Sequence, residues 1–162
     1  MIKLINTVAF IILNENNQVL LLKKTNEDFL EKESVPVLTM VKKDEEDISK
    51  EEWFIMVSNT EDDEDPRSVI KREIKKEFDC EIRSCDYFNL YFELISENFI
   101  KKTTYFYGSL IGEAKIIEDR MILEWIDLEE DVLRELNLPP EQKKALVDFA
   151  DFLQNKFMQQ VD

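Results

Sequence analysis

The amino-acid sequence predicts a single domain of the α+β (mixed α/β) class, and three observations carry that expectation. Short apolar runs rich in Val, Ile and Phe, at residues 5–13 and 103–111, read as strands. Ile70, Ile74 and Phe78 recur every four residues, the spacing of a buried helical stripe. Strand-like and helix-like segments mix without strict alternation, and no repeat or flexible linker divides them. At 162 residues the chain has the usual size of one domain and enough length to bury a core.

The elements follow in order. Residues 5–13 form a first strand, the polar run Asn14-Glu15-Asn16-Asn17 turns the chain, and residues 19–22 return as the second arm of a hairpin. Residues 25–34 are charged and suit a short helix; residues 35–41 contain a proline and suit an edge strand. Residues 42–52 are a charge run and read as a solvated loop, and residues 53–57 as a short strand. An acidic turn at residues 59–65 then leads to a helix. Asp65 is its N-cap, Pro66 its first residue, and Phe78 its approximate end. Residues 87–95 and 103–111 read as a long antiparallel pair, with Lys101-Lys102 at the hairpin tip. Residues 122–126 are a further strand and residues 128–136 a helix. Pro139-Pro140 opens a last helix whose apolar face holds Ala145, Leu146, Phe149, Leu153 and Phe157.

Composition removes whole classes of chemistry. There is no histidine, so Ser-His and Cys-His nucleophilic systems are excluded. Gly108 and Gly112 are the only glycines, too few for a P-loop or a dinucleotide fingerprint. Cys80 and Cys85 are no disulfide framework and fit a reducing, cytoplasmic setting. No apolar run reaches the roughly 18 residues needed to span a membrane, and no targeting segment is read at the N-terminus. A formal net charge of −15 disfavours a nucleic-acid polymer or an anionic membrane as partner. It does not disfavour a small anion, because a divalent cation can bridge carboxylates to phosphate.

What remains in quantity is carboxylate. Glu73 and Glu77 lie four apart, so they share one helix face beside the apolar stripe. Glu64 sits in the turn just before that helix. Acidic side chains gathered this way suit a hard cation such as Mg²⁺, which prefers oxygen ligands. In an acidic chain the same spacing is also simply a solvated helix face.

These residues resemble the Nudix box, G-x5-E-x7-R-E-U-x-E-E-x-G-U, with U a bulky aliphatic residue. Glu64, Arg72, Glu73, Ile74 and Glu77 match it at the right spacing, while Ser58, Lys76 and Asp79 stand where a glycine, a glutamate and a glycine belong. Cys80 takes the place of the last aliphatic residue. Trp53 precedes the box at the family's usual distance, and the element order is similar along nearly the whole chain. The exception is residues 24–52, which read as an insertion on the surface, near the rim of the site or in a subunit contact. The resemblance implies a Nudix-type αβα sandwich around a mixed sheet. It implies hydrolysis of a nucleoside diphosphate linked to another moiety, by attack of a metal-activated water on phosphorus, with Mg²⁺ or Mn²⁺ held by Glu73, Glu77 and Glu64. Glu73 would be ligand or general base, and Arg72 would orient the glutamates. Glu113, Glu118 or Glu124 could add a late-chain ligand. The implied partner is a nucleotide-like small-molecule diphosphate, with a homodimer left open. Lys76 in a ligand position would weaken the cation site, and Ser58 and Asp79 would distort neighbouring loops. The competing reading is therefore a catalytically silent Nudix-fold module that binds a nucleotide or a protein.

Overall fold

A computed structural model describes residues 1–24, 52–61, 63–115 and 121–160. Four strands form one sheet: β1 (Lys3–Ile12), β4 (Met56–Asn59), β5 (Glu81–Ser96) and β6 (Phe99–Ile111), in the order β4-β1-β6-β5. β2 (Gln18–Lys24), β3 (Trp53–Phe54) and β7 (Met121–Asp127) form a second, in the order β3-β2-β7. β1 runs parallel to β6 and antiparallel to β4, so the larger sheet is mixed. Helix α1 (Pro66–Phe78) covers one face; α2 (Glu130–Glu135) and α3 (Pro140–Gln160) cover the other.

Strict alternation along β1 and β2 makes the three layers. Val8, Phe10 and Ile12, with Leu20 and Leu22, point into a core with Ile70, Ile74 and Phe78 of α1. Ala9, Ile11, Val19 and Leu21 point the opposite way, to Leu133, Ala145, Leu146 and Phe149. Each fully buried large apolar side chain contributes about 1.5–3 kcal/mol. The expected αβα sandwich around a mixed sheet is observed. The anticipated stripe of α1 is buried throughout, and so are Ala145, Leu146 and Phe149 of α3. The side chain of Phe157 lies outside the described residues, as do the segments expected as a helix at 25–34 and an edge strand at 35–41, and all but Glu52 of the expected loop at 42–52.

Several local expectations are corrected. Residues 5–13 and 19–22 do not form a two-stranded ladder. The Asn14–Gln18 turn exists: Asn14 Oδ1 accepts the N–H groups of Asn16 and Gln18, and Asn17 is left-handed at φ 59°. Beyond a single bridge from Leu13 to Val19, however, the strands diverge into different sheets. The expected strand at residues 53–57 is likewise split. Ile55 breaks it, because its N–H donates to Gln142 Oε1 at 2.9 Å instead of to a neighbouring strand. β5 begins at Glu81, six residues earlier than read from the pattern. The β5–β6 turn is at Glu97-Asn98, so Lys101 and Lys102 lie inside β6 opposite Glu93 and Phe92. Gly108 is needed where it stands: a Cβ there would meet the Ser84 carbonyl oxygen at 1.8 Å.

Candidate active site

Helix α1 presents the acidic residues, and its ends are well determined. Asp65 accepts the Arg67 N–H at 3.2 Å and Pro66 starts the first turn. At the other end Asp79 takes the left-handed conformation (φ 51°, ψ 41°), and its N–H closes on the Lys75 carbonyl. Its carboxylate bonds Lys75 at 3.0 Å. Asp79 thus adopts the backbone shape that a glycine would supply, and Ser58 lies in regular β4 pairing opposite Val8. Local structure is regular at both positions, a strand pairing at Ser58 and a helix cap at Asp79. Asp is one of the few side chains that enter the left-handed region at modest cost.

Anchored by the buried Ile70, Ile74 and Phe78, the helix turns Glu73 and Glu77 to one cavity of about 500 Å³. Both are partly exposed. Leu22, Phe54, Met56 and Met121 give this cavity apolar walls, and Glu52 and Gln142 add polar groups. Gln142 is 8% exposed. Its Oε1 is taken by the Ile55 N–H, and its Nε2 has no partner among the described residues. The buried amide is a donor without an acceptor, on the wall of a cavity.

Glu64 and Arg72 are not in that lining. They form an ion pair at 2.8 Å, and Glu64 also accepts the Glu61 N–H at 3.1 Å. The Arg72 hydrogen bond holds the Glu64 carboxyl below its ordinary value, and Glu64 holds the guanidinium above its own. Arg72 bonds Glu64 and neither Glu73 nor Glu77. Lys76 is exposed, lies outside the lining, and makes no ion pair with Glu73 or Glu77. Of the late carboxylates, Glu113 lines a separate cavity with Arg83 and Trp125, Glu124 is exposed on β7, and Glu118 lies outside the described residues. Cys80 is buried and donates to the Glu113 carbonyl, consistent with packing.

Among the described residues no three carboxylate or thiol side chains stand close enough to hold a metal ion together. The set that faces the cavity from α1 is therefore the pair Glu73 and Glu77. A pair suits Mg²⁺, which keeps several waters and is usually held by one or two carboxylates plus substrate phosphate. Sequence reasoning missed Gln142 and Glu52. Gln142 has a turn signal, Pro139-Pro140, just before it, but nothing local points it at residue 55.

No family model matches the sequence, and no curated protein is similar to it in sequence. Solved structures are similar in shape. The solution structure of the Escherichia coli ORF135 protein superposes with a TM-score of 0.65 at 19% identity, over 91% of this chain and 89% of that one. The MutT protein of Methanosarcina mazei Go1 gives 0.63 at 17% identity, over 94% and 96%. The MutT NUDIX hydrolase of Burkholderia pseudomallei gives 0.59 at 16%, over 89% and 96%. Taken with the mixed sheet, the three layers and the glutamates of α1, these likenesses establish that the chain has the MutT/Nudix hydrolase fold.

Proposed function

We propose that this chain hydrolyses a nucleoside diphosphate linked to another moiety, in the cavity walled by Glu73 and Glu77. The observation that carries the reading is the convergence of these two glutamates on an apolar cavity that also holds the buried Gln142 amide. Glu73 and Glu77 would hold Mg²⁺ or Mn²⁺. When bound, the cation neutralises diphosphate charge and makes water more acidic. Glu73 lines the cavity and forms no ion pair among the described residues, so where it does not hold the cation its carboxylate can take a proton from the attacking water. The apolar walls of Leu22, Phe54 and Met56 exclude water from the rest of the ligand. Gln142 Nε2 orients it, since a buried donor rejects ligands that leave it unpaired. Arg72 is a positioning residue: it ties Glu64, and so the turn ahead of α1, to the helix.

A second reading, a silent nucleotide-binding or protein-interaction module, is favoured by the two-carboxylate set and by Lys76 in place of a third glutamate. A screen of diphosphate compounds with Mg²⁺ or Mn²⁺, read by release of phosphate and nucleotide, separates the two. Turnover abolished by Glu73→Gln supports hydrolysis. Ligand-induced thermal stabilisation with no turnover for any compound supports the silent module.

A further inference from the structure

Among the described residues no element covers one face of the larger sheet at its far end. Cross-strand register puts Leu4, Ile100 and Leu94 in one row, Asn6, Lys102 and Phe92 in the next, and Val8, Thr104 and Leu90 in a third. Neighbours in a row share a face. Val8 and Phe106 on the same face belong to the α1 core, so the panel continues that core beyond the helix. Phe92 is 63% exposed and Leu94 72%, with Leu4 and Tyr87 also exposed. Glu93 and Lys101 oppose one another on the other face, so the one charged residue in these three rows is Lys102.

We propose that a second copy of this chain covers the panel, face to face about a two-fold axis. Leu4, Tyr87, Phe92, Leu94 and their half-buried neighbours expose on the order of 500 Å², the upper range for a monomer's largest apolar patch. Laid on itself the panel buries roughly 1,000 Å² in total, the lower bound of a specific contact. With a net charge of −15 two copies repel one another over most of their surface. This panel has no carboxylate in its rows, so it is a place where two such copies can meet without opposed acids. The neighbouring edge is less suited to docking. β5 is an edge strand, but its register shifts at Ile82/Ser84, Tyr87/Asn89 and Leu94/Ser96, which blunts it against an added strand. A self-complementary face then gives an isologous dimer with Phe92 as its aromatic anchor.

Sedimentation velocity of the full chain between about 1 and 100 µM tests this directly. A contact of this size should give a monomer–dimer equilibrium with Kd in the micromolar range. The dimer should strengthen as salt rises, because screening removes the repulsion of two acidic chains. Phe92→Glu with Leu94→Glu should be monomeric throughout, with unchanged circular dichroism and unfolding midpoint, since both side chains are exposed. A wild-type chain that stays monomeric at 100 µM overturns the proposal, and so does a dimer that survives these substitutions.

Discussion

Arg72 Nη1 stands 2.8 Å from Glu64 Oε2, while Glu73, the next residue along, faces the cavity. One helical step thus separates a residue that anchors the preceding turn from one that can touch a ligand. With its second oxygen on the Glu61 N–H, Glu64 has both carboxylate oxygens engaged.

Glu73 and Glu77 line the cavity and Glu64 does not, so the proposed function puts the cation on the first two. Glu64→Gln should change Mn²⁺ affinity less than about threefold, whereas Glu77→Gln should lower it more than tenfold. The pair's effect on stability has a definite sign. Glu64's folded value is lowered, so its contribution is present above the ordinary carboxylate range and fades as pH falls through the lowered value. The pair is exposed and solvent screens it, so the unfolding midpoint should barely differ between wild type and Glu64→Gln at pH 7. A large loss of Mn²⁺ affinity in Glu64→Gln, seen by calorimetry, would put Glu64 in the metal site.

Lys76 is exposed and lies outside the cavity lining. Replacing it with glutamate moves the nearby charge by two units without adding a residue to the cavity lining, and at physiological salt this should raise divalent-cation affinity only about two- to threefold. The gain should grow as salt is lowered. Titration of Lys76→Glu at two salt concentrations measures this. A gain above about thirtyfold at physiological salt would mean that the ammonium folds into the cavity.

Asp79 bears a backbone cost that glycine would not. Its left-handed φ of 51° disfavours most L residues by about 1–2 kcal/mol. Asp79→Gly should raise stability slightly, by up to about 1 kcal/mol, and Asp79→Val should lower it by about 1–2 kcal/mol. Urea denaturation of the three proteins gives the comparison. A Val variant as stable as wild type would show that the turn has another conformation available.

What was legible in the sequence was local or periodic. Asp65-Pro66 and the four-residue spacing of Ile70, Ile74 and Phe78 placed α1, and that placement carried Glu73 and Glu77 to one face. Relations across the chain were not legible. The Asn14-to-Asn17 turn looks like a hairpin, yet its strands part after one bridge into different sheets, and no residue pattern records this. The break at Ile55 depends on Gln142, 87 positions away. Glu64 matches a motif position, but its actual partner was decided by the reach of Arg72. Ser58 and Asp79 were read as losses because glycine is usual there; one sits in a regular strand and the other adopts the required φ itself.

If Glu73 and Glu77 form a divalent-cation site serving diphosphate hydrolysis, cation binding and turnover both depend on them. Calorimetric titration of Mn²⁺ into wild type and into Glu73→Gln/Glu77→Gln, each followed by the diphosphate screen, tests it most directly. The expected result is one site in wild type, lost in the double variant along with all turnover while the unfolding midpoint is kept. Equal Mn²⁺ binding by the two proteins, or turnover that survives the double substitution, would contradict it.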